Sequence, residues 1–256
     1  MTPRAPLRGL CAAALMAALL LGGCATTTPN TENPRVASDP WEGFNRKVFA
    51  FNEVLDEKVA RPVAETYRDV VPQLVRTGVG NFIGNIGDLW SAANHLLQGK
   101  LQAGVEMGIR FVTNSFFGLG GVLDPASEMG LTRRSEDFGQ TLAVWGVGAG
   151  PYVVLPLLGP STVRDSTGLV VDRQVAPSVL FAAESDRYAM TTLEIVHGRS
   201  VLLGTTALLS IVALDKYSFT REAWLSRRQD QIFDGAPPLE TFEDIEDSNP
   251  APSNAK

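Results

Sequence analysis

The sequence predicts an all-α fold that carries one apolar hairpin. Three observations say so. Apolar residues recur at spacings of three and four along most of residues 39–233, and strand-like alternation is absent over any useful length. Residues 139–163 hold no charged side chain but a cluster of Gly and Pro.

Taken in order, residues 1–23 are an address. Arg4 and Arg8 precede an apolar run over residues 10–21, about the length of a signal-peptide core and too short to span a bilayer. The run ends in Leu21-Gly22-Gly23-Cys24, which resembles the lipobox of bacterial lipoproteins, where the Cys is acylated and becomes the first residue. Cys24 is then the lipidation site, Cys11 leaves with the signal, and no intramolecular disulfide is possible. Several acyl chains, at about 0.8 kcal/mol per buried CH₂, anchor a chain firmly. Ala25 stands where an Asp tends to retain lipoproteins at the inner membrane, so the outer membrane is expected. Residues 24–38, polar and rich in Thr, Pro and Asn, read as a flexible tether. At the far end, residues 234–256 hold six acids, one base and four prolines, and read as an exposed acidic tail, disordered past Asp247.

The body between them is helical. Asp39-Pro40-Trp41-Glu42 reads as a helix start, with Asp39 as N-cap, Pro40 as first helical residue and Glu42 closing a capping box. Trp41, Phe44, Val48, Phe51 and Leu55 then form one apolar face. A short helix starts at Pro62 and carries Val63, Tyr67 and Val70. Pro72 restarts the chain, with Val75, Val79, Phe82, Ile86, Leu89, Ala93 and Leu96 on one stripe, and Gly99 ends it. Residues 100–117 form a fourth helix with Leu101, Val105, Ile109 and Val112 on its apolar side. Residues 161–171, 185–214 and 220–230 are expected to be helical too. Gly78, Gly80, Gly84 and Gly87 each cost a helix up to about 1 kcal/mol relative to Ala, which implies close packing or a bend.

By length, residues 139–163 could cross a bilayer, but Pro151, Pro156 and Pro160 exclude a straight helix. A loop open to hydrocarbon would leave backbone groups unpaired. An apolar hairpin satisfies both limits, turning at Gly146-Val147-Gly148-Ala149-Gly150. These residues alone suit the core of a soluble domain as well as a membrane. The anchor, the near-neutral body, the scattered Trp41, Trp90, Trp145 and Trp224, and the uncharged residues 201–214 favour a membrane-embedded chain.

Composition excludes several functions. A net charge of −6 and a pI near 5.0 argue against nucleic acid as partner. Two His and two Cys leave little room for a metal site or a His-based active site, and no cofactor is implied. Asp137-Phe138-Gly139 spells a kinase triplet, but no catalytic loop accompanies it. There is no GxSxG, and His95 and His197 fall in helical patterns as structural residues, so no enzyme is expected.

Several ordered blocks over residues 39–174 resemble the MlaA/VacJ family of outer-membrane lipoproteins. They include Asp39-Pro40-Trp41-Glu42-Gly43-Phe44-Asn45-Arg46, Arg61-Pro62-Val63-Ala64, Asn81-Phe82-Ile83-Gly84-Asn85 and Arg110-Phe111-Val112-Thr113-Asn114-Ser115. Glu136-Asp137-Phe138-Gly139-Gln140-Thr141-Leu142, Trp145-Gly146-Val147-Gly148, Gly150-Pro151-Tyr152, Leu155-Pro156, Gly159-Pro160 and Arg164-Asp165 continue the series. The resemblance implies a ring-like arrangement of short amphipathic and interfacial helices in the inner leaflet of the outer membrane. It also implies a central channel for phospholipids, trimeric porins of the OmpC/OmpF type as partners, and a periplasmic carrier, MlaC, as recipient. The implied role is to maintain lipid asymmetry by removing phospholipids from the outer leaflet.

Such a channel needs a polar side, because isolated charge in hydrocarbon is expensive. The hairpin is expected to wall or gate it, with Gly146, Gly148, Gly150 and Pro151 at the gate. Phe138, Trp145, Tyr152, Leu155, Arg164 and Asp165 are candidates for lining or interface. Arg110 and the Arg164-Asp165 pair are expected in buried ion pairs, and Asn45, Asn81, Asn85 and Asn114 in interhelix hydrogen bonds. Phe44 and Asn45 are expected to pack the first helix against the ring. Two other classes fit less well: a non-catalytic porin-associated scaffold and a lipid hydrolase.

Overall fold

The structure, a computed structural model, describes residues 39–212 and 214–238, with residues 206–212 by backbone alone. The signal, Cys24, the tether and the tail beyond Pro238 lie outside the described residues.

Helix α1 (Glu42–Leu55) passes through a π-helical turn (Asp56–Ala60) into α2 (Arg61–Val70) without a break. The separate start expected at Pro62 is therefore corrected. Pro62 lacks an N–H and its ring crowds the carbonyl four residues back. The π turn just ahead of it, where the Arg61 N–H reaches the Asp56 carbonyl, carries the helix past the proline. The capping box is not formed either. Trp41 is the N-cap, Glu42 pairs with Arg46 at 2.7 Å, and the Asp39 carboxylate serves tertiary partners instead.

Helices α3 (Gln73–Leu97) and α4 (Leu101–Phe117) form a tight pair around Gly99, which sits at φ +78°. A one-turn helix α5 (Pro125–Glu128) is capped by Asp124, and α6 (Phe138–Val144) by Asp137. Strands β1 (Tyr152–Leu155) and β2 (Gly159–Thr162) pair antiparallel, Tyr152 opposite Thr162 and Leu155 opposite Gly159. Then come α7 (Val163–Asp172), two 3₁₀ turns, α8 (Glu184–Val212) and α9 (Lys216–Ile232). The fold is thus helical with one small hairpin, as the sequence predicts.

The hairpin is displaced from its expected position. It turns at residues 156–158, where Leu157 has φ +67°, and Gly146 to Gly150 lie in the connection from α6. Pro156 cannot continue the strand's donor pattern, so the chain reverses there. The next helix accordingly starts after Thr162, which caps it, rather than at Ser161.

Neighbour contacts run in a closed circuit. The π turn joins α1 to α2, α2 packs on α8, α8 on α3, α3 on α6, α6 on α7 and α9, both of these on β2, and β1 returns to α1.

Burial is inverted relative to a water-soluble bundle. Buried side chains are mostly polar or charged, including Asn85, Asp88, Asn94, His95, Arg110, Asn114 and Thr141. The apolar stripe of α4 faces outward: Leu101, Val105, Ile109, Val112 and Phe116 are all exposed. Val75, Leu89 and Leu96 of α3 do the same. The apolar core proper is small: Tyr152, Val154 and Tyr217, with Val48, Phe49, Trp224 and Leu225 against them. Among the described residues no helix is long and apolar enough to cross a membrane.

Candidate functional site

A two-stranded sheet has two edges whose backbone groups need partners. Helix α1 supplies them on one side. Asn45 Nδ2 donates to the Tyr152 carbonyl at 3.1 Å, and its Oδ1 accepts the Val154 N–H at 2.9 Å. Seven residues on, Asn52 repeats the pattern, donating to the Leu155 carbonyl at 3.0 Å and accepting the Leu157 N–H at 2.9 Å. Two helical turns match about two strand residues plus the turn, so one helix face clasps the whole strand edge. Asn45 is fully buried, and its Nδ2 also donates to Asp39 at 2.7 Å. Asp39 further accepts the Tyr217 hydroxyl and lies 3.7 Å from Arg221, so α1, β1 and α9 share one polar knot. Asn45 and Phe44, both expected to pack the first helix, are placed differently. Phe44 is 57% exposed and points away from this contact, because only the asparagine side of the helix meets the strand.

The candidates for lining or interface divide. Tyr152 is fully buried, edge-on to Tyr217 and Trp224 at ring distances of 6.3 and 6.2 Å, so its ring faces protein. Leu155 is half-buried. Trp145 is 53% exposed, donates its indole N–H to the Leu97 carbonyl at 3.0 Å, and meets the half-buried Phe138 edge-on. In the connection, Gly146 and Gly150 hold φ of +88° and +67°, a region other residues avoid. A Cβ on Gly150 would also lie 3.2 Å from Val163 Cβ. Gly148 has neither a positive φ nor a near neighbour, which corrects its expected need for glycine. Pro151 fastens the connection, its carbonyl accepting the Val163 N–H at 3.2 Å, while the Ala149 carbonyl accepts from Arg164 N.

Two buried charge frames hold these elements. In one, Asp165 accepts from Arg164 at 3.1 Å and from Arg228 of α9 at 2.8 Å, and Arg228 also grips Asp137 at 2.6 Å. Burial alone would lower the Arg228 guanidinium, but Asp137 and Asp165 raise it above the usual arginine range. Gly139 and Gly168 make room: a Cβ on Gly139 would lie 2.5 Å from Arg228 Nη2, and one on Gly168 2.5 Å from the Gly139 nitrogen. In the other frame, the fully buried Arg110 meets Asp88 at 3.2 Å and Asp124 through both oxygens at 2.9 Å, and Arg133 also binds Asp88. Burial pulls the Asp124 carboxyl up, yet hydrogen bonds from Ser127, Asn114 and Arg110 outweigh it and bring it to about 2. Asn85 donates between α3 and α4 to Ser115, while Asn81 and Asn114 donate to the Val122 carbonyl and Asp124 in the connection after α4.

Beside the hairpin lies a cleft of about 610 Å³ between α1, the π turn, β2 and α9. Its lining is mixed: Phe49, Val54, Pro160 and Phe219 are apolar, and Glu53, Asp56, Glu57, Arg61 and Lys216 are charged. A second cleft, of about 770 Å³, lies at the junction of α3 and α4, with Leu101 and Ala103 beside His95, Lys100, Arg134, Glu136, Asp230 and Asp234. Both clefts are mixed, but only the first sets two phenylalanines, a valine and a proline against its charged wall, the larger apolar surface that an amphiphile requires. Among the described residues no group of three or more His, Cys, Asp or Glu side chains converges as a metal site.

The family model of the MlaA lipoprotein matches residues 37–231. The chain belongs to the MlaA lipoprotein family. The MlaA intermembrane phospholipid transport system lipoprotein of Escherichia coli (strain K12) is 39% identical over 212 residues, 81% of this chain and 82% of that one. Its counterpart in Haemophilus influenzae is 33% identical over 226 residues, 87% and 90% of the two chains. A solved chain described under the structural basis for maintenance of bacterial outer membrane lipid asymmetry superposes with a TM-score of 0.68. It is 37% identical and covers 76% of this chain and 99% of its own. In this MlaA-family chain, sequence reasoning singled out Asn45, Arg110, Arg164 and Asp165 and missed Asn52, Arg228, the π turn and Arg199, whose Nη2 donates to Asp56 at 2.8 Å. Asn52, seven residues after Asn45 on the same helix face, was the available signal.

Proposed function

We propose that the protein accepts phospholipids from the outer leaflet of the outer membrane and passes them to a periplasmic carrier of the MlaC type. In this reading it lies in the inner leaflet beside a trimeric porin of the OmpC/OmpF type, anchored through acylated Cys24. The observation that carries the reading is the inverted burial: apolar α3 and α4 faces outward, charged and amide side chains inward. Hydrocarbon is the solvent that makes such a distribution favourable. The names of the relatives, phospholipid transport lipoproteins, point the same way.

The cleft beside the hairpin is the lipid's route. Its charged residues take the headgroup, while Phe49, Val54, Pro160 and Phe219 accept the start of the acyl chains. Gly159 and Pro160 of β2 form one wall, so the hairpin bounds the route by its β2 side rather than through Gly148. Asn45 and Asn52 keep that wall fixed to α1. No bond is made or broken, and movement needs only that headgroup charge stays in contact with polar side chains.

Proteoliposomes holding the lipoprotein and porin, mixed with a soluble MlaC-type carrier, test this. Phospholipid should reach the carrier intact. A scaffold gives no transfer, and a hydrolase gives lysolipid or free fatty acid.

A further inference from the structure

The charges in the cleft are arranged in exchangeable pairs. Lys216 Nζ lies 3.0 Å from Glu53 Oε1, and both side chains are about half exposed, at 54% and 42%. Asp56 is held more firmly, by Arg199 Nη2 at 2.8 Å and by Arg61 at 3.7 Å. Those contacts bring its carboxyl below the ordinary range, the Arg199 hydrogen bond first. Glu57 is exposed on the same wall and forms no ion pair among the described residues. The cleft therefore presents one loose cation–acid pair, one fixed cluster and one spare acid.

Resting on the lipid-route reading, we propose that this cleft selects zwitterionic phospholipids, whose phosphate is followed by an ammonium, over anionic ones. An exposed pair such as Glu53–Lys216 contributes little and opens readily. A phosphate entering beside Lys216 takes the cation from Glu53. In a zwitterionic headgroup the ammonium then pairs with Glu53 or Glu57, and every charge regains a partner. An anionic headgroup, such as phosphoglycerol, brings no ammonium. It leaves Glu53 unpaired and sets its own phosphate close to two carboxylates, and like charges in a confined, partly dry volume repel strongly. Asp56 cannot relieve this by moving, because Arg199 holds it at 2.8 Å. The apolar residues treat both lipids alike, so discrimination comes from the acids.

The test uses the full lipoprotein purified in mild detergent, with a photoreactive benzophenone residue at Phe219. It is equilibrated with mixed micelles of phosphatidylethanolamine and phosphatidylglycerol in equal amounts and with the same acyl chains. Captured lipid is quantified by headgroup with mass spectrometry. The ratio of ethanolamine to glycerol lipid should exceed the bulk by about two- to five-fold, the worth of roughly one partly exposed ion pair. Glu53→Lys should bring it to the bulk ratio or below, and Glu57→Gln should lower it about two-fold with an unchanged unfolding midpoint. Capture at the bulk ratio overturns the headgroup selection while leaving the lipid route standing. No lipid capture from this position overturns the route itself, and the selection with it.

Discussion

Replacing Asn45 by Ala should be far more costly than replacing either of its neighbours on the same helix, Asn52 or Phe44. Asn45→Ala removes three hydrogen bonds in a fully buried site: those to the Tyr152 carbonyl, the Val154 N–H and Asp39. Water cannot enter to replace them. Leaving a buried donor and a buried carbonyl unpaired costs about 1–3 kcal/mol each, so a loss of about 3–4 kcal/mol is expected. Asn52→Ala removes two equivalent bonds, but the site is only half-buried and water substitutes, so about 1 kcal/mol is expected. Phe44→Ala removes a mostly exposed side chain and should change stability by less than about 0.5 kcal/mol. Urea unfolding of the three variants in detergent, followed by tryptophan fluorescence, gives the order directly. Equal losses for the two asparagines, or a larger loss for Phe44→Ala, would refute the edge-clasp argument.

Other consequences follow from the same geometry. Arg110→Met takes the shared guanidinium from Asp88 and Asp124, leaving Asp88 to the partly exposed Arg133 and Asp124 to Ser127 and Asn114, and should destabilise the protein by about 3 kcal/mol, measured by denaturant titration. Asp124, held down at about 2 against an ordinary 3.8, contributes stability that is present above pH 3.8 and lost as pH falls toward about 2. An acid titration of wild type should show that loss, and Asp124→Asn should flatten it. Gly150→Ala meets a positive φ and Val163 and should cost about 1–2 kcal/mol, whereas Gly148→Ala should be silent in thermal unfolding.

Helix existence was legible in the periodicity, since α1, α3, α4, α8 and α9 all lie where the spacing placed them. What spacing cannot state is which way a face points. The stripe Leu101, Val105, Ile109, Val112 is amphipathic in either solvent, and only the partner of Arg110 on the opposite face decides that it turns outward. Glycines and prolines marked residues 145–162 as non-helical, but residues 139–144 of the expected hairpin form α6 instead. They left the hairpin's turn ambiguous, because Gly146–Gly150 and Pro156–Gly159 both suit a reversal, and pairing with α1 through Asn45 and Asn52 selects the second. Arg164-Asp165 was visible as a charge pair in an apolar stretch. Its closure by Arg228, 63 residues on, is a tertiary fact with no local signal.

The route itself is tested most directly by filling the cleft. Ala50 lines it from an exposed position on α1, so Ala50→Trp adds bulk there without entering the core. Gln102→Trp adds the same bulk at the second cleft. In the carrier-coupled proteoliposome assay, Ala50→Trp should cut phospholipid transfer by roughly tenfold or more, and Gln102→Trp should leave it unchanged, both with wild-type unfolding midpoints. Undiminished transfer through Ala50→Trp would contradict the account.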